Sequence, residues 1–189
     1  MARFVKTRDR EIFNVLFTRY KSLVINHIRR FVKDRARAEE LAQDVFIRVY
    51  TAKHYEPRTK FTTWLYRIAT NIALNELRRG DHRHPTTSLD TSDATGSGGV
   101  LTLHSSEASP EVTMATQQLA VRLTKTLDAL PPKQRAAFLM VKQDSLTYEE
   151  VASALETSVS AVKSLVHRAL EALRKEAART LTEPARISA

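Results

Sequence analysis

Wherever this chain has a regular pattern of apolar and polar positions, the period is that of a helix. Ile12, Leu16, Tyr20, Leu23, His27, Ile28 and Phe31 recur at three- and four-residue spacing and predict one helix with a single buried stripe. His27 on that stripe reads as a satisfied core histidine. Asp34 stands where an N-cap is wanted, and Ala38, Leu41, Ala42, Val45 and Val49 form the stripe of a second helix within ARAEELAQDVFIRVYTAK. A third helix lies in KFTTWLYRIATNIALNELRR, with Phe61, Leu65, Ile68 and Ile72 facing inward. Its expected end is Arg78-Arg79-Gly80, where the glycine suits a C-cap. Three such helices make one compact bundle over residues 1–80.

From Asp81 to Ala115 the periodicity collapses into TTSLDTSDATGSGGVLTLHSSEASP, a Ser/Thr/Gly-rich stretch with the composition of a flexible linker. Its His82-x-His84 pair lacks a third ligand at sensible spacing and reads as solvated. Ser109-Pro110-Glu111 has the form of an N-cap followed by Pro at the first helical position. Leu119, Leu123, Leu127 and Leu130 then trace a helix that stops at Pro131-Pro132, and PKQRAAFLMVKQ begins another. In SLTYEEVASALETSVSAVKSLVHRALEALRKE, Thr147-x-x-Glu150 is a capping box opening a short helix. Glu156-Thr157 makes the turn, and Ser158 caps a longer helix. Ala152, Val162 and Leu165 occupy the small and apolar positions that a helix-turn-helix needs. The expected fold is therefore all-α, with two small helical domains (residues 1–80 and 116–180), a linker over 81–115 and a tail over 181–189.

Composition narrows the function. With no cysteine among 189 residues there is no disulfide framework, thiolate metal site or cysteine nucleophile. No apolar run approaches a membrane span or a signal peptide, which predicts a cytoplasmic protein with no membrane insertion of its own. The net charge of +9 is unevenly spread: residues 1–80 hold 18 basic and 8 acidic side chains, 81–115 hold 1 and 5, and 116–189 hold 11 and 8. Two basic modules joined by an acidic segment point to a polyanion such as nucleic acid.

Three surfaces carry candidate chemistry. On the third helix a rotation of about 100° per residue gathers Trp64, Arg67, Asn71 and Arg78 on one flank of the core stripe. Tyr55, Arg58, Lys60, Phe61 and Tyr66 lie nearby in sequence. Aromatics interleaved with cations hold single strands or a flipped base; the simpler reading of Trp64 is a half-buried core aromatic. On the last helix Ser160, Lys163, Ser164, His167 and Arg168 fall on the outward face, where a recognition helix meets base edges. Glu156 occupies the turn position usually taken by glycine, where left-handed geometry is costlier. On the second helix Glu39, Glu40, Gln43 and Asp44 lie off the stripe beside Phe46, Ile47 and Arg48, a face suited to solvent or to a protein. The chain contains no phosphate loop, nucleophile elbow, metal motif or apolar carboxylate pair, so catalytic, metal and cofactor sites are expected to be absent.

In combination ELAQDVFIRVY, FTTWLYRIATNIALNELRR and LDALPPKQRAAFLMVKQDSLTYEEVASALETSVSAVKSLVHRALEALRK resemble the extracytoplasmic-function sigma factors of the sigma-70 type. The resemblance implies a non-enzymatic initiation factor that binds core RNA polymerase, on the nucleoid when so bound. Glu40, Gln43, Asp44 and Phe46 would meet the polymerase clamp. The Tyr55–Lys60 loop, Arg58 included, with Trp64, Tyr66, Arg67 and Asn71 would capture and melt the minus-ten element, and Arg78 and Arg79 would meet phosphates. Lys163, Ser164, His167 and Arg168 would read the minus-thirty-five element as duplex. The acidic linker would thread the polymerase channels, and an anti-sigma factor is an expected partner. The family pattern is not matched at Glu156, at Leu165 or at Val49-Tyr50. The alternative, a stand-alone helix-turn-helix regulator, requires tight duplex binding by the free protein and leaves the aromatic flank and both acidic segments without a role.

Overall fold

A computed structural model of the chain describes residues 1–55, 60–83 and 110–182. Among them are eight helices and no strand: α1 (Ala2–Thr7), α2 (Arg10–Arg29), α3 (Arg35–Thr51), α4 (Phe61–Arg83), α5 (Pro110–Asp128), α6 (Pro132–Lys142), α7 (Tyr148–Ala154) and α8 (Val159–Thr182). The starts are capped by side chains, at Asp34 where the sequence announces a cap and at Asp9 where it announces none. Asp9 and Asp34 accept backbone N–H groups of Glu11 (2.8 Å) and Arg37 (3.2 Å), one orphan donor satisfied at each helix. Pro110 is the first residue of α5 and Pro132 the first of α6.

Two expectations about ends fail. α4 runs through Gly80 to Arg83, and no described glycine has a positive φ. A helix-interior glycine costs only about 1 kcal/mol against alanine, so a glycine alone does not stop a helix. The first stripe also outruns its helix: Phe31 is buried but lies beyond the end of α2. The linker reading of 81–115, including His84, falls largely outside the described residues.

The short helix α1 has no counterpart in the sequence pattern. Phe4 is fully buried among Phe13 (5.4 Å between centroids) and Tyr50 (5.6 Å). Arg8, left-handed at φ 55°, donates to the carbonyls of Tyr50 and Ala52, both at 2.8 Å. It thereby caps the C-terminal end of α3, where orphan carbonyls favour a cation.

The core of the first bundle runs through Val24, Ile28, Leu41, Val45, Val49, Leu65 and Ile72. Arg37 bridges α3 to α4 through both carboxylate oxygens of Glu76, at 2.8 and 2.9 Å. A second cluster joins the two halves of the chain. Phe31, Tyr66, Ala73 and Leu74 pack with Ala136–Met140, Leu146, Val151 and Leu155. The apolar run over 136–141 of α6 is therefore buried on more than one side: α6 meets α8 on one side and α4 on another.

Candidate nucleic-acid interface

At the start of α4 the aromatics form one continuous group. Tyr55 meets Trp64 edge-on at 5.4 Å, Phe61 lies 5.9 Å from Trp64, and Tyr20 meets Phe61 edge-on at 5.1 Å. Edge-to-face packing satisfies the ring quadrupoles and leaves the indole half-buried, with surface still available. Lys60, Arg67, Asn71 and Arg78 are exposed along the same helix face. Arg58 lies outside the described residues.

Tyr66 does not join this group. Two residues after Trp64 it is rotated by about 200°, and it is only 6% exposed, edge-on to His27 at 4.9 Å. Burial and the neighbouring Asp144 carboxylate push its hydroxyl well above the usual phenol range. Its placement on the cationic flank is thus corrected: in this conformation it belongs to the contact between the two halves.

The cations of the flank already have anionic company. Lys60 Nζ lies 3.1 Å from Glu150 Oε1, and an Arg67 guanidinium nitrogen lies 2.6 Å from Glu156 Oε1. Thr147 and Glu150 form the capping box, with backbone-to-side-chain bonds of 3.2 and 2.9 Å. The Thr147 N–H holds the Glu150 carboxyl below its usual range; burial opposes this and Lys60 adds to it. Glu156 itself takes φ 51°, the left-handed turn that the sequence demands at that position. For a residue with a side chain that geometry costs about 1–2 kcal/mol.

Beyond the turn, Ser158 Oγ accepts from the Ala161 N–H at 3.1 Å and starts α8. Ala152 and Val162 are buried and Leu165 is half-buried against the same core. That packing turns Ser160, Lys163, Ser164, His167 and Arg168 outward, and all five are exposed. Lys163, Ser164, His167, Arg168 and Glu171 line one open concavity. Along that face His167 Nδ1 lies 3.5 Å from a carboxylate oxygen of Glu171, one turn on in the same helix.

On α3, Glu40, Gln43 and Asp44 are exposed. Phe46 is not: it is 4% exposed and packs edge-on against Phe17 at 4.8 Å, which corrects its assignment to this face. The reason is its register, three residues before buried Val49 and four after buried Ala42. The apolar residue that completes the Glu40-Gln43-Asp44 face is Ile47, 58% exposed, at i+3 from Asp44. The i, i+3, i+4, i+7 spacing could have identified it. Among the described residues no group of three or more His, Cys, Asp or Glu could hold a metal ion, and no helix is long and apolar enough to cross a membrane.

Comparison with known proteins fits this arrangement. Residues 16–83 match sigma-70 region 2 and residues 120–173 match sigma-70 region 4. The chain is 33% identical over 172 residues to the RNA polymerase sigma-H factor of Pseudomonas aeruginosa, covering 90% of this chain and 89% of the relative. It is 33% identical over 172 residues to the ECF RNA polymerase sigma-E factor of Escherichia coli (strain K12), covering 89% and 88%. Its fold is similar to that of the sigma factor RpoE in complex with the anti-sigma factor NepR from Bartonella quintana, with a TM-score of 0.64 and 18% identity over 88% of this chain and 96% of that one. The chain belongs to the extracytoplasmic-function sigma factors of the sigma-70 family, and is an RNA polymerase sigma factor that directs promoter-specific transcription.

Proposed function

We propose that the two halves divide promoter recognition between them. The α1–α4 module (residues 1–80) carries two surfaces. Glu40, Gln43, Asp44 and Ile47 on α3 dock on the core polymerase. The α4 flank of Lys60, Trp64, Arg67, Asn71 and Arg78, with Tyr55 and the Arg58 loop, captures the opened minus-ten strand. The observation that carries this is the aromatic group Tyr55–Phe61–Trp64 with exposed cations along one helix face, since bases stack on the rings while cations follow the phosphates. The module over 116–180 presents α8 to duplex: Lys163 and Arg168 donate to guanine edges, Ser160 and Ser164 to bases or phosphates, and His167 extends the same face. Residues 81–115 link the two.

This division needs no catalytic group on the chain, because bond formation belongs to the polymerase. The place of action is the cytoplasm, on the nucleoid. By similarity in fold to a chain held by NepR, an anti-sigma factor is the expected regulatory partner. The test is reconstitution with core polymerase and permanganate footprinting on a promoter this factor serves. Stoichiometric co-elution and reactive thymines confined to the minus-ten region support the reading. Failure to co-elute, with tight duplex binding by the free protein, replaces it with a stand-alone regulator.

A further inference from the structure

Among the described residues three take left-handed backbone without being glycine: Arg8 (φ 55°), Ser145 (φ 56°) and Glu156 (φ 51°). Ser145 and Glu156 shape the turns on either side of α7. Arg8 stands between α1 and α2, where a glycine would take the same turn at no steric cost. What the arginine adds is its side chain.

Nη1 of Arg8 donates to the Tyr50 carbonyl and Nη2 to the Ala52 carbonyl, both at 2.8 Å. A bond from each prong fixes the plane of the guanidinium, although the residue is exposed. Its base is fixed as well. The Arg8 N–H donates to the Phe4 carbonyl at 2.7 Å, and the guanidinium carbon lies 5.6 Å from the centre of the Phe4 ring. Phe4 in turn is fully buried against Phe13 and Tyr50. The helix α1 is thus a short strut that ends in a guanidinium on the last turn of α3.

That last turn leads directly to the aromatic group of the α4 flank. Ala52 takes φ −58° and ψ 119°, so the chain leaves α3 in extended backbone and forms no left-handed cap of its own. Only Lys53 and His54 separate Ala52 from Tyr55. Tyr55 stands edge-on to Trp64 at 5.4 Å and to Phe61 at 6.1 Å. A clamp on the Tyr50 and Ala52 carbonyls therefore sets the direction in which the chain departs, and with it the place where the Tyr55 ring arrives.

We infer that Arg8 is a positioning residue for strand capture: from the end of α1 it grips the exit of α3 and so holds Tyr55 against Trp64 in the arrangement that receives an unpaired base. In this role Arg8 touches neither base nor phosphate and acts through the backbone of residues 50–52. The two charge-assisted bonds offset the cost of its left-handed turn. The inference rests on the strand-capture reading of the α4 flank.

Trp64 is the one tryptophan of the chain, so its emission reports this site alone. Arg8→Gly and Arg8→Asn both accept a left-handed turn and remove the guanidinium. Acrylamide quenching of Trp64 in the full chain, measured below the unfolding transition, should rise about two-fold in each variant. On core polymerase saturated with the factor, formation of the open complex at a promoter it serves should slow about ten-fold. Unchanged quenching in both variants overturns the placement of Tyr55 by Arg8. Opening at the parent rate in both variants overturns the positioning role, and Trp64→Ala in the same assay locates the fault. If Trp64→Ala impairs opening, strand capture stands and only the part given to Arg8 fails; if it opens normally, the reading of the α4 flank itself fails.

Discussion

The two helices proposed to face DNA differ in what surrounds them. α8 presents five exposed polar side chains, of which His167 meets Glu171 of the same helix. α4 presents an aromatic group and a row of cations, and two of those cations are paired with carboxylates from the other module. A helix that reads duplex edges needs only a rigid backbone and free side chains, and the buried Ala152–Val162 packing supplies that. A site that holds an unpaired strand is useful only after the duplex has opened.

Four variants break or sharpen that contrast. The largest effect is expected from Phe4→Ala, which empties a fully buried aromatic site in the first module alone and should cost about 3–5 kcal/mol. Because an apolar cluster joins the two modules, thermal unfolding by circular dichroism should remain a single transition at lower temperature. Two separated transitions would mean that the modules are independent. Next, Asp44→Arg with Gln43→Ala should weaken co-elution with core polymerase by roughly 2 kcal/mol, with unchanged helicity. Retained assembly would move the docking surface off α3. Trp64→Ala should cost about 1–3 kcal/mol of strand stacking and slow promoter opening, seen as loss of permanganate-reactive thymines, while duplex binding by the same holoenzyme persists. Normal opening in a poorly folded variant would return the indole to a purely packing role. Arg168→Ala is the most local: about 1–3 kcal/mol of discrimination at one upstream base pair. An equal loss on every promoter would make it a phosphate contact.

Much of this was legible in the chain itself, because caps and stripes are local. Asp34, Pro110, Pro132, the Thr147–Glu150 box and Ser158 each begin a helix where the residues predict one. The exposed set on α8 also follows from register alone. What escaped notice was tertiary. Periodicity marked His27 as buried but could not say that its partner is Asp144, 117 residues away. Sequence proximity grouped Tyr66 with Trp64 and Phe46 with Asp44, although helical rotation separates both pairs. α1 is too short to show a stripe, so Phe4 and Arg8 left no periodic signal. One hint was available: AAFLMV in α6 is apolar on all sides, which requires burial against more than one neighbour. Glu156 was visible as a departure from the usual turn glycine; its contact with Arg67 emerges only from the packing.

The division of labour between α4 and α8 is the central claim, and tethered cleavage tests it most directly. The cysteine-free chain permits an iron chelate at Asn71→Cys or at Arg168→Cys, assembled with core polymerase on a promoter in the open complex. The account predicts cuts from position 71 in the unpaired minus-ten region and cuts from position 168 in the upstream duplex near minus-thirty-five. Cleavage of the same duplex segment from both positions, or none near the opened strand from position 71, would contradict it.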